Sequence, residues 1–172
     1  MNSKSMNITL TALLAILIGS FSLVAGAAEK RKIQYTKVAR QTLSETKMAV
    51  GQIPGHEFVT QHFLDTMKPT GNPAWDVVQE YVFNNDRNVD GKGTHRGYSI
   101  DMFKNGDQAF CWYEGTHTLT TKDGGAWELN YQGKCDFFGG TGKFKNLKGS
   151  VNYKGHVTPE SFKEDNQGEV EY

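Results

Sequence analysis

The sequence predicts an all-β fold, a single eight-stranded antiparallel barrel following an N-terminal export signal. Three observations carry this reading. Apolar and polar residues alternate along short runs from Gln34 onward, and no helical period persists beyond a few residues. Clusters of Gly, Asn and Asp interrupt the runs at intervals typical of antiparallel sheet. The chain has 172 residues, of which 37% are hydrophobic and 12% aromatic, enough for one packed domain and too many for a disordered chain.

The first element is not part of the barrel. Met1 to Asn7 is polar and carries Lys4; Ile8 to Val24 is almost wholly apolar, and Ala25-Gly26-Ala27 supplies small residues at a cleavage site. Residues 1–27 therefore read as a signal peptide, and residues 28–172 as the β-barrel domain of a periplasmic or secreted protein. An uncleaved membrane anchor is the alternative for the same apolar run. Once cleaved, the chain has no stable membrane span. It keeps 18 basic against 19 acidic side chains, a net charge of −1. That balance lacks the electrostatic footprint of a nucleic-acid binder.

Strands are expected near Gln34–Lys47, His56–Thr66, Asp76–Asn84, Thr94–Lys104, Asp107–Thr120, Ala126–Phe138, Gly149–Val157 and Gly168–Tyr172. A sheet this wide with one apolar face hides that face, and loses its edges, by closing into a barrel. Gln52–Gly55 and Lys68–Ala74 are loops between the early strands. The acidic tail from Glu160 reads as a solvated last strand and loop.

Two turns allow registers to be counted. Asn105-Gly106 fits a two-residue type I′ hairpin, so facing residues have numbers summing to 211. The turn near Asp123 gives pairs summing to about 246. Together they place Arg96, Tyr98, Ile100, Met102, Cys111, Tyr113, Gly115, His117, Tyr131, Gly133, Cys135 and Phe137 on the inner face. His95, Ser99, Asp101 and Glu114 fall outside, and Trp112 points outward against the pattern. Cys111 then faces Cys135, within disulfide reach in an oxidising compartment. One end of the barrel, near Asn105-Gly106, should be apolar and shut. The other should hold Arg96, His117 and Trp127.

After Phe138 the string Gly139-Gly140-Thr141-Gly142-Lys143-Phe144 leads to Leu147, Gly149 and Tyr153. It reads as a crossing that swings Phe144 and Leu147 over the shut end. The stretch from Gly91 to Gly155, with this string, Gly97-Tyr98, Gly106-Asp107 and Tyr113-Glu114-Gly115, resembles the allene-oxide-cyclase-like and dirigent-like barrels. It looks in particular like the small exported bacterial proteins of unassigned activity grouped near them. The resemblance implies a calycin-like barrel with a small apolar cavity that handles small organic molecules without a bound metal or cofactor. No catalytic residue of the cyclases matches a position here. The string lacks the Gly-Lys-Ser/Thr ending of a phosphate loop.

The chemistry expected at the polar end rests on Arg96, Tyr98, Tyr113, His117 and Tyr131. An arginine there would receive an acidic group, the histidine would hydrogen-bond or move a proton, and the tyrosines would form an apolar wall with polar tips. The competing reading is a structural network in which the inner arginine pairs with a nearby acid. No metal is expected: His56 and His62 stand about 20 Å apart along a strand, and no other histidine pair has metal-site spacing. The functional expectation is an exported barrel holding a small, partly apolar molecule in its mouth, with an acidic group as the feature Arg96 would receive. A cofactor-independent isomerase or cyclase, and a filled structural barrel, are the alternatives. The sequence leaves the oligomeric state open.

Overall fold

The computed structural model describes residues 29–172, and the expected signal peptide, residues 1–27, lies outside the described residues. Eight strands follow in order: β1 (Lys30–Ala49), β2 (His56–Met67), β3 (Val77–Val89), β4 (Lys92–Phe103), β5 (Gln108–Thr121), β6 (Trp127–Gly140), β7 (Lys148–Val157) and β8 (Phe162–Glu171). Each pairs antiparallel with its neighbours in the chain, and β8 returns to β1 over Lys30–Lys37, so the sheet closes as a barrel. Among the described residues no helix is long and apolar enough to cross a membrane.

The registers differ from expectation in an instructive way. The turn after Phe103 has three residues, not two. Gly106 N–H donates to Phe103 O at 2.9 Å, and Phe103 N–H donates to Asp107 O at 3.0 Å. Gly106 alone takes the left-handed conformation, φ +86°, while Asn105 keeps a negative φ and caps the turn through Asp107 N–H. This is the three-residue hairpin with a glycine bulge rather than the type I′ turn. The extra residue moves the β4–β5 pairs to Arg96 opposite Glu114 and Tyr98 opposite Trp112. A one-residue slip flips every side chain of a strand. Arg96, Tyr98, Ile100 and Met102 therefore lie on the outer face, and His95, Ser99, Asp101 and Phe103 point inward and are buried.

Between β5 and β6 the loop is centred on Gly124, and pairs run Gly115 opposite Gly133 and His117 opposite Tyr131. This slip is two residues, which slides a strand but preserves its faces. The inner set on β5 and β6 accordingly stands as expected, with Tyr131, Cys135, Phe137 and His117 buried. Trp112 is outward and 59% exposed, against Tyr98 at 5.2 Å between ring centroids. The acidic tail is a correction: β8 begins at Phe162, and its Glu164 and Asn166 are buried inside the barrel.

Because no side chain crowds Gly106, a Cβ there meets only backbone strain. Gly106→Val is expected to lower stability by about 1–3 kcal/mol. Chemical denaturation checks this, and an unchanged midpoint would refute the bulge's role in fixing the hairpin.

Cys111 and Cys135 form a disulfide with 5.9 Å between Cα atoms. They sit diagonally: Cys111 pairs with Phe137 and Tyr113 with Cys135. Intact mass with and without reductant should differ by two hydrogens. Reduction should cost on the order of 3 kcal/mol for a loop of this size, with a separation of 24 residues along the chain. No reductant-dependent mass change would disprove the bond.

The end near Gly106 is closed. The turn Gly142–Phe144 carries Phe144 inward, and Phe144 and Leu147 are fully buried, as the crossing string predicts. The plug is Trp75, 0% exposed, just before β3, with Phe103, Phe137 and Phe144 edge-on at 5.0, 5.3 and 5.4 Å.

Candidate functional site

The other end opens into a cavity of about 350 Å³, so the interior is not solid. Its wall is aromatic and aliphatic: Tyr35, Phe63, Val82, Tyr113, Tyr131, Tyr153, with Trp127, Leu129 and Val157 toward the rim. The barrel finds room for these rings by setting glycines beside them. A Cβ at Gly97 would collide with Tyr113, one at Gly133 with Tyr153, and one at Gly155 with Tyr131. Large side chains over glycines fill a narrow barrel without widening it.

Of the expected site residues, Tyr113, His117 and Tyr131 line the cavity, whereas Arg96 and Tyr98 lie outside, for the register reason given above. The inner arginine is Arg40, on β1. Its Nε and terminal nitrogen donate to the two Asp65 oxygens at 2.8 and 2.7 Å. Its guanidinium lies 4.3 Å from the ring centroids of both Phe63 and Phe162. Backbone pairing between β1 and β8 ends at Lys37 and Glu164. Arg40 thus fills with its side chain the seam that hydrogen bonds no longer close.

Lys37, 5% exposed, is the centre of a buried ion cluster. Its Nζ lies 2.5 Å from Glu80, 2.8 Å from Glu164 and 3.6 Å from Asp65. Glu164 also accepts from Tyr131 Oη at 2.7 Å and Asn166 Nδ2 at 3.0 Å. Burial works against every charge here. Glu164, Glu80 and Asp65 together overcome it and raise the Lys37 ammonium well above its usual range. Lys37 and Arg40 likewise overcome burial at Glu164 and hold its carboxyl low. Glu80 and Asp101 face each other across β3 and β4, and burial, reinforced by neighbouring acids, pushes both up. Four carboxyls, Glu80, Asp101, Glu164 and Asp65, thus surround two cations, Lys37 and Arg40. The cations are already engaged.

Toward the rim stands a second polar group. His95, expected outside, is 7% exposed and inward. Its Nε2 lies 2.7 Å from Tyr153 Oη, and its Nδ1 lies 3.4 Å from Nδ1 of His117. His117 Nε2 contacts Asn88 Oδ1. Burial, helped by His117, lowers His95 to about 4, and burial lowers His117 as well. Both rings are therefore neutral at physiological pH. Asp86, opposite His95 across β3 and β4, accepts from Asn84 Nδ2 at 2.7 Å.

The fold and cavity define a class: a closed eight-stranded antiparallel barrel, shut by aromatic rings at one end and open to a polar-floored cavity at the other. No family model and no curated protein matches the chain. Among solved structures, it is similar to the pterocarpan synthase dirigent protein GePTS1, with 11% identity, a TM-score of 0.49, and coverage of 99% of this chain and 97% of that one.

Proposed function

We propose that this chain is an exported binding protein that holds a small, partly apolar, uncharged molecule in the open end of its barrel. The carrying observation is the cavity of about 350 Å³, walled by tyrosines and aliphatic side chains, whose only inward cations among the described residues are paired with carboxylates. An anionic ligand would meet no free positive charge there, whereas a neutral one gains an apolar wall and hydroxyl partners from Tyr113 and Tyr153. The disulfide supports export, since such bonds persist in oxidising compartments.

The probe is N-phenyl-1-naphthylamine, an uncharged fluorophore that brightens in apolar surroundings. Saturable binding is expected. Leu129→Trp, which adds bulk at the rim, should weaken it by about tenfold or more, whereas Arg96→Gln, on the outer face, should not change it. No saturable binding by wild type, or equal loss in both variants, would overturn the reading.

A second reading has one observation of its own. Glu80 lines the cavity with its carboxyl pushed up by burial, the direction a general acid needs in a cofactor-independent isomerase or cyclase. Glu80→Gln keeps the shape and removes the acid. Turnover of an unsaturated substrate by wild type, abolished in Glu80→Gln with probe binding intact, would favour catalysis over simple binding.

A further inference from the structure

We propose that Asp86, His95 and His117 form a binding site for a divalent transition-metal ion of the zinc class at the open end of the barrel. Donor atoms of the three side chains all lie within 4.8 Å of one another. The two imidazole Nδ1 atoms are 3.4 Å apart. Two nitrogens on one tetrahedral ion, with bonds of about 2.0–2.1 Å, stand about 3.3–3.4 Å apart. Asp86 is half-buried and lines the same cavity as the two histidines.

The three residues come from adjacent strands of a rigid sheet. Asp86 pairs directly with His95, and His117 pairs with Gly93, two residues along the same strand. The surroundings supply the outer partners that orient metal ligands. Asn88 Oδ1 sits against His117 Nε2, so that nitrogen carries the proton and Nδ1 presents a lone pair. Asn84 holds Asp86 through Nδ2. Tyr153 Oη, beside His95 Nε2, can either donate or accept. Without an ion, the hydroxyl donates to Nε2 and His95 Nδ1–H donates to His117. With an ion, the hydroxyl rotates and accepts from Nε2–H, the ring proton having passed from Nδ1 to Nε2, and both Nδ1 lone pairs face the metal. Two imidazoles and a carboxylate leave further coordination positions toward the cavity, as in zinc and related open sites.

The site needs no organic ligand, so its test stands apart from the probe experiment. The full chain, stripped with chelator, is titrated with Zn²⁺ by calorimetry and with Co²⁺ by visible absorption. One equivalent should bind, and Co²⁺ should give the intense d–d bands of a low-coordinate site. His117→Ala should weaken Zn²⁺ binding by at least about tenfold and Asp86→Asn measurably less. His62→Ala and His156→Ala, both on the outer face, should leave it unchanged. If His117→Ala does not fold, the wild-type ring ¹⁵N shifts decide, since Zn²⁺ must move Nδ1 of both His95 and His117. No stoichiometric ion, or binding that follows His62 or His156 instead, would overturn the proposal.

Discussion

Lys37→Met should destabilise the barrel by about 3–5 kcal/mol at pH 7, the cost of leaving buried carboxylates without their counter-ion. Lys37 touches three of them, Glu80, Glu164 and Asp65, each under 5% exposed. Arg40 relieves only part of the loss, because its two short hydrogen bonds go to Asp65 and it stands 4.0 Å from Glu164. Methionine keeps the stem's packing, so the measured loss reports charge. The effect depends on pH, and the sign follows from Glu164. Its folded carboxyl is depressed below 4.5 by Lys37 and Arg40. Such a group stabilises above its unfolded value and loses that contribution as pH falls through the folded one. The gap between wild type and Lys37→Met should therefore be full at pH 7 and narrow below about pH 4.5. Urea denaturation at both values decides. A gap under about 1 kcal/mol at pH 7, or one that does not narrow in acid, would contradict this account of the cluster.

Trp75→Ala should cost about 3–5 kcal/mol, the range for truncating a fully buried aromatic ring. Trp75 fills the shut end, and Phe103, Phe137, Phe144 and Tyr35 all pack on it. A closed ring of strands collapses poorly onto such a hole, which places the cost toward the upper limit. Trp75→Phe should lose under about 2 kcal/mol, because the indole N–H has no hydrogen-bond partner and its removal offsets part of the lost volume. Trp75→Phe should still bind N-phenyl-1-naphthylamine, since Tyr35, which lines the cavity, keeps an aromatic ring to pack on. Equal melting of Trp75→Ala and wild type would mean that the plug does not hold the end shut.

Most of the barrel is legible in the sequence, and the losses have physical causes. On β5 and β6 the inward residues are apolar or aromatic, Cys111, Tyr113, Tyr131, Cys135 and Phe137, so alternation marks the face whatever the pairing. On β4 the face depended on one turn. Asn-Gly suits a two-residue loop, but Gly106 with an Asn105 cap suits a three-residue loop equally well, and the difference inverts Arg96 and His95. The ion cluster was hidden for another reason. Alternation is read from apolar residues, and Lys37, Glu80, Glu164 and Asn166 occupy inward positions with the composition of a surface. Parity was the available signal: Ile33, Tyr35 and Lys37 share a face, as do Glu80 and Val82. Arg40 lies past a bulge after Lys37, where parity itself breaks.

Closure through β1 and β8 sets the order in which the molecule can become itself. Lys30 pairs with Glu171, so the earliest strand of the domain waits for almost the last residue of the chain. Loop-closure entropy over that span is lost before any contact repays it, which makes such topologies slow to fold. The cluster has the same timing. Lys37, Arg40 and Asp65 come together as soon as β1 meets β2, whereas Glu164 arrives only with β8. A nascent chain lacking its last strand therefore carries an open sheet edge and an incomplete charge centre.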